Sequence, residues 1–233
     1  MIEHEKISIP REVYIGTAWV VRSNLLQHYY CFPEQRVKLK NKIKHGHNHA
    51  LLVAAYDNFF PDDISIHVPH ADVRDVLFGA LNHDLGSAIN SLKPEGDDWD
   101  IDHRLIGLGL MLYIQKEYAS VMNPAIFNII VFHHEKNDGS GPLRLKQEKI
   151  PWEAMLVQII DKLVSGCEGR EHVAKKTLRQ TYNELNANRD IKFDGNVLDR
   201  MAELFDVIFI DNDADRLRRV GLGQLQFMAN WNI

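Results

Sequence analysis

Two adjacent histidines, His133-His134, close an apolar run, Phe127-Asn128-Ile129-Ile130-Val131-Phe132, and lead into Glu135-Lys136-Asn137-Asp138-Gly139-Ser140-Gly141-Pro142. A helix carrying imidazoles thus runs into a glycine-rich turn that can approach a ligand closely. Other polar groups stand at comparable places. His49 opens an apolar helix, His83-Asp84 close a second, His103 opens a third, and Asp161 lies inside a fifth. A buried imidazole or carboxylate costs free energy unless it is paired or bound to metal. Imidazole nitrogen with carboxylate oxygen is a ligand set for zinc, iron, manganese or nickel. Ligands from several helices facing one bundle core can build a dinuclear centre. Blander roles stay open residue by residue. His83-Asp84 could be a hydrogen-bonded helix end, and adjacent helical residues such as His133 and His134 diverge by about 100°. Asp138-Gly139-Ser140-Gly141 lacks the GK[ST] of a Walker-type phosphate loop.

The elements that must position these groups read as helices. Apolar spacing predicts helices over 17–30, 50–56, 72–85, 102–118, 124–134 and 152–165, with shorter ones within 170–186 and 195–220. Asp72 is an N-cap candidate, Pro124 suits a first turn, and Gly86 sits where a helix would end. Pro61-Asp62-Asp63 reads as a helix stop, 67–69 and 87–100 as loops. Val207-Ile208-Phe209-Ile210 is an ambiguous strand candidate, and the class is all-α.

Composition bounds the rest. The 233 residues are 45% hydrophobic and 25% charged, enough for a sizeable core. A net charge of -5 without a basic run argues against binding long nucleic acid. Two distant cysteines offer neither a disulfide framework nor a zinc knuckle. The expected setting is cytoplasmic: Met1-Ile2-Glu3-His4 lacks a signal-peptide pattern, and no long apolar run predicts a membrane span.

The motifs also carry a resemblance. His49, His83-Asp84 and Asp161 reproduce the H…HD…D order of the HD-domain metal phosphohydrolases, and Leu81-Asn82-His83-Asp84-Leu85-Gly86 is similar to their LLHDIG. The resemblance extends to the HD-GYP subfamily, which hydrolyses cyclic di-GMP. His103 with Gly107 resembles its HPxxG, and residues 133–141 resemble its HHExxDGxG. Leu145-Lys146-Gln147-Glu148-Lys149-Ile150-Pro151-Trp152-Glu153-Ala154 resembles LKGEEIPLEA, and Phe193-Asp194 resembles FDPxLV. Asp161 falls at the subfamily's last metal aspartate. The match runs from about residue 45 to 205, with departures. Gly141-Pro142 has lost the tyrosine of GYP. Ser87 stands where a substrate-contacting lysine follows HDIG. Arg170 matches a phosphate-binding arginine, but its basic partner is replaced by Val173.

The resemblance implies a helical HD domain over 41–205, a helical extension over 1–40, and another over 206–233 packed on the core. It implies a metal-dependent phosphohydrolase that cleaves a phosphoester with a hydroxide activated by two metals, with a cyclic di-GMP-type cyclic dinucleotide as the leading substrate. His49, His83, Asp84 and Asp161 would hold one ion, and His103, His133 and His134 the other, with Asp84 bridging. The ions would be two divalent transition metals (iron, manganese, nickel or zinc), with a third near His45, which is spaced i to i+4 from His49. Asp84, Lys136 and Arg170 are the catalytic candidates. Lys136, Arg144, Lys146 and Arg170 would steady the phosphates, with Gly139 and Gly141 at the lip of the site. The expected partner is a small anionic phosphoester or nucleotide, not a membrane or long nucleic acid, and residues 1–40 could supply a homodimer contact. The alternatives are an HD-type nucleotidase or phosphomonoesterase, and a degenerate domain that binds metal and nucleotide without turnover.

Overall fold

The computed structural model describes residues 53, 60–90, 102–117, 122–168 and 174–208. Among these the chain is all-α, with isolated bridges at Asp138–Lys146 and Arg189–Phe193 as its only extended pairing. The helices are α1 Pro61–His67, α2 Val73–Asn82, α3 Leu85–Asn90, α4 His103–Glu117, α5 Pro124–Phe132, α6 Trp152–Glu168, α7 Leu178–Asn186 and α8 Gly195–Ile208. No helix among the described residues is long and apolar enough to cross a membrane.

Local chemistry sets most of the boundaries. The Asp72 carboxylate accepts from the Arg74 N–H at 2.9 Å, and Asp75 returns a bond to the Asp72 N–H at 3.0 Å, so a capping box opens α2. Asn123 caps α5 by accepting from the Ala125 N–H at 3.0 Å, with Pro124 in the first turn. Thr177 and Gln180 form a second capping box, at α7.

α5 is the central element. One face, Ala125 and Ile129, joins the larger core with Ile64, Ala80, Leu156, Ile160, Leu163 and Leu198. The other, Ile126 and Ile130, joins Phe78, Leu85, Met111 and Ile114. Each large side chain buried this way contributes roughly 1.5–3 kcal/mol. The helix that ends at the paired histidines is thus held on two sides by packing.

Several expectations are corrected. Pro61 opens α1 instead of ending a helix, because its missing N–H costs nothing in a first turn, and His67 is the last residue of α1. The helix expected over 72–85 ends at Asn82; His83 and Asp84 form a turn, and a new helix, α3, starts at Leu85 and runs into the expected loop. Gly86 does not terminate a helix. It lies in the first turn of α3, where an added Cβ would stand 1.8 Å from the His103 carbonyl oxygen. Glycine alone lets the α3 backbone touch the start of α4. Val207 and Ile208 belong to α8, not to a strand. The expected helices over 17–30 and 50–56, apart from Val53, and the 1–40 extension lie outside the described residues, as do 209–233.

Candidate metal centre

The fold brings helix ends together. His83 follows α2 and Asp84 lies in the turn to α3; His103 starts α4; His133 and His134 follow α5. Gly86 seats α3 against the first turn of α4, and this contact carries Asp84 to His103, with Oδ1 3.3 Å from Nε2. The same Oδ1 is 3.7 Å from His133 Nε2, and Oδ2 is 3.9 Å from His83 Nε2. The His134 ring lies 4.1 Å from that of His133 and 5.0 Å from that of His103, centre to centre. Asp84, His103, His133 and His134 each offer one ligand atom, all within 4.8 Å of one another. Both adjacent histidines therefore face the same place. The end of α5 explains it: the helix stops at Phe132 with His133 as its C-cap, and both histidines lie in the turn that follows.

Two imidazoles have their tautomer set by main chain. His133 Nδ1–H donates to the carbonyls of Ile129 and Ile130 at 3.0 and 3.1 Å, and His83 Nδ1–H donates to the Ala80 carbonyl at 2.6 Å. A carbonyl only accepts, so the proton is on Nδ1 and the lone pair is on Nε2, turned toward Asp84. This is how metal-ligating histidines are commonly oriented. The Nε2 atoms of His103 and His133 are buried and close no hydrogen bond. An unsatisfied buried nitrogen costs about 1–3 kcal/mol, so two side by side need an account. Three imidazoles and a carboxylate fit a divalent transition metal by donor type and by burial.

The electrostatics agree. Burial pushes the Asp84 carboxyl up, but His83 and the contacts with His103 and His133 outweigh it and hold the group well below the usual carboxylate range. Its side chain is 31% exposed, so the cluster opens to solvent on this side. His134 is pushed down to about 3 by burial, then by His133 and Lys162, against the attraction of Asp161 and Asp84. It is neutral at ordinary pH and able to donate a lone pair.

The remaining candidates are placed differently. Asp161 is buried in α6 and paired with Lys162 at 3.4 Å; its charge reaches His134, but it is not within the four-residue cluster. His45, His49 and Arg170 lie outside the described residues. Lys146 Nζ donates to the Asp138 carbonyl at 2.7 Å, and Lys136 lies near the Asp138 carboxylate. Arg144 is exposed and held at φ 58. Gly139 has φ 75, the left-handed turn conformation. A Cβ on Gly141 would stand 2.6 Å from Glu135 Cα, so this glycine serves loop packing.

Glu135, Arg104 and Gln158 form a support that sequence reasoning did not single out. The buried Glu135 carboxylate accepts from the Leu143 and Leu145 N–H groups at 2.7 and 3.0 Å and from Arg104 Nη1 at 3.5 Å. Its carbonyl accepts from the Gln158 side chain of α6. Arg104, also buried, donates to Asp102 and to the Val131 carbonyl at 3.0 Å. The residue after the two histidines is thus tied to α4, to α6 and to the 143–145 segment of the following loop. The signal available in the sequence was adjacency, Arg104 beside His103 and Glu135 beside His134. Ser87 Oγ donates to Asp84 Oδ1 at 3.2 Å, a further brace on the carboxylate.

Residues 112–197 match a family model described as HD domain. The match contains His133, His134 and Asp161 and begins after Asp84 and His103. It supports an HD-domain phosphohydrolase, and HD domains bind divalent metals. No curated protein matches the chain.

Proposed function

We propose that this chain is a metal-dependent phosphodiesterase acting on a nucleotide phosphoester, with a cyclic di-GMP-type cyclic dinucleotide as the first substrate to test. The observation that carries the reading is the cluster of Asp84, His103, His133 and His134, with two buried Nε2 atoms left without hydrogen bonds. His103, His133 and His134 would hold one ion, and His49, His83 and Asp161 another, with Asp84 common to both. A divalent ion in such a site lowers the pKa of a water and neutralises phosphoryl oxygens.

The chain's own part is positioning. The carbonyls of Ala80, Ile129 and Ile130 fix the Nε2 lone pairs of His83 and His133. Low proton affinity keeps His134 neutral and Asp84 ionised. Glu135 and Arg104 fix the loop edge beside the site, and Lys136, Arg144 and Arg170 are the proposed phosphate contacts. Elemental analysis with a phosphoester panel tests the reading. More than one equivalent of transition metal with release of pGpG or GMP from cyclic di-GMP is expected.

A second reading, a nucleotidase or phosphomonoesterase on the same scaffold, draws on Ser87. Its hydroxyl is directed at Asp84, where the resembled subfamily carries a lysine. Turnover of another phosphoester with none of cyclic di-GMP would favour it.

A further inference from the structure

α4 is apolar over more of its circumference than the fold covers. From Leu105 to Ile114 it carries no charged or amide side chain. One side is used. Met111 and Ile114 are buried with Ile126 and Ile130, and a Cβ on Gly107 would stand 3.1 Å from Ile130 Cγ2. The opposite side is not. Leu105, Leu112 and Tyr113 are 58%, 50% and 52% exposed, and an added Cβ on Gly109 would meet nothing within 4 Å. At 3.6 residues per turn these four residues, with Asp102 and Lys116 at the two ends, lie within about 100° of arc. A stripe of that width is what a helix turns toward a packing partner. A single exposed leucine needs no account, but a contiguous apolar group marks a contact surface.

The face is complementary to itself. In an antiparallel helix pair with its twofold axis at Gly109, each residue lies opposite the one equally far on the other side of the glycine. Leu105 then meets Tyr113 of the second copy, and Asp102 meets its Lys116. The Asp102 side chain, bonded to Arg104, is still 32% exposed, and Lys116 is exposed. Gly109 stands at the crossing, where the missing side chain lets two backbones approach closely. We propose that this chain forms an antiparallel homodimer through the outer face of α4, crossing at Gly109. One helix face falls short of the roughly 1,200–2,000 Å² of a standard interface, so the pair is weak and in equilibrium with monomer. The Asp102–Lys116 pairs lie at the rim and set orientation more than affinity.

The test is sedimentation equilibrium of the full chain, spanning a dissociation constant expected on the order of 10 μM. Wild type should pass from monomer to dimer across it. Gly109→Glu sets two carboxylates together on the axis and should weaken association at least roughly tenfold. It should not lower the Tm of the monomer, because the new side chain meets no neighbour and replaces a helical glycine. Lys116→Asp, which opposes a second carboxylate to Asp102, should also weaken association and serves if the first variant does not fold. Register is read by crosslinking in a chain with Cys31 and Cys167 replaced by serine. Gly109→Cys should form a disulfide dimer on mild oxidation, whereas Leu105→Cys should not, its two copies lying ~12 Å apart along the pair. A wild-type chain that stays monomeric overturns the inference, as does a dimer that Gly109→Glu and Lys116→Asp leave intact. Leu105→Cys crosslinking as fast as Gly109→Cys, or no crosslinking by Gly109→Cys, overturns the antiparallel crossing.

Discussion

Main-chain carbonyls decide which nitrogen His83 and His133 turn toward Asp84, and that choice makes the cluster ligand-like instead of merely polar. His133→Ala should therefore weaken metal binding by more than the roughly 10- to 100-fold typical of an outer-shell change, read by competition with a chelating dye. His134 carries a pH signature. Its folded pKa is about 3, whereas an unfolded histidine titrates near ~6.5. Between those values the unfolded chain binds a proton that the folded chain refuses, so stability falls as pH drops through that window. Thermal melts of metal-free protein should show Tm declining from about pH 7 to about pH 5, with a shallower decline in His134→Gln. A Tm that rises on acidification would contradict the neutral, buried imidazole.

Elements bring these residues together through close backbone contacts, and those contacts are the vulnerable points. Gly141→Ala must displace Glu135, whose Cα would be 2.6 Å from the new Cβ. A cost of about 1–3 kcal/mol by urea unfolding is expected. Glu135→Ala strips the buried Arg104 of one anionic partner and takes away the acceptor of the Leu143 and Leu145 N–H groups. About 3–5 kcal/mol is expected, and a variant as stable as wild type would refute the bracing role. These devices also show what was legible beforehand. Caps and apolar spacing placed α2, α4, α5 and α6 within a few residues, because local chemistry sets those ends. The break after Asn82 was not legible. It depends on Gly86 meeting the His103 carbonyl, a tertiary contact between residues far apart in the chain. The histidines and Asp84 were legible as candidates by type and position. Glu135, Arg104 and Gln158 were not, because a charged residue in a loop or first turn reads as solvated until its buried partners are known.

For the whole molecule, a chain of net charge -5 that acts on an anionic ester, as proposed, would have to gather its attraction for that ester at one place, and bound cations would be a ready source. The HD-domain match over residues 112–197 begins within α4 and ends at the start of α8, while Asp84 and His103 lie ahead of it in the chain. A site divided this way couples metal to folding. Chelation should lower Tm, and restoring the metal should raise it with concentration. The most direct measurement is transition-metal content and phosphodiester hydrolysis on one preparation of wild type and Asp84→Asn. Wild type should carry more than one equivalent of metal and hydrolyse a phosphodiester, with both lost in the variant. A wild-type chain that retains its fold, takes up no iron, manganese, nickel or zinc on reconstitution and cleaves no phosphoester would contradict the metal centre at its base.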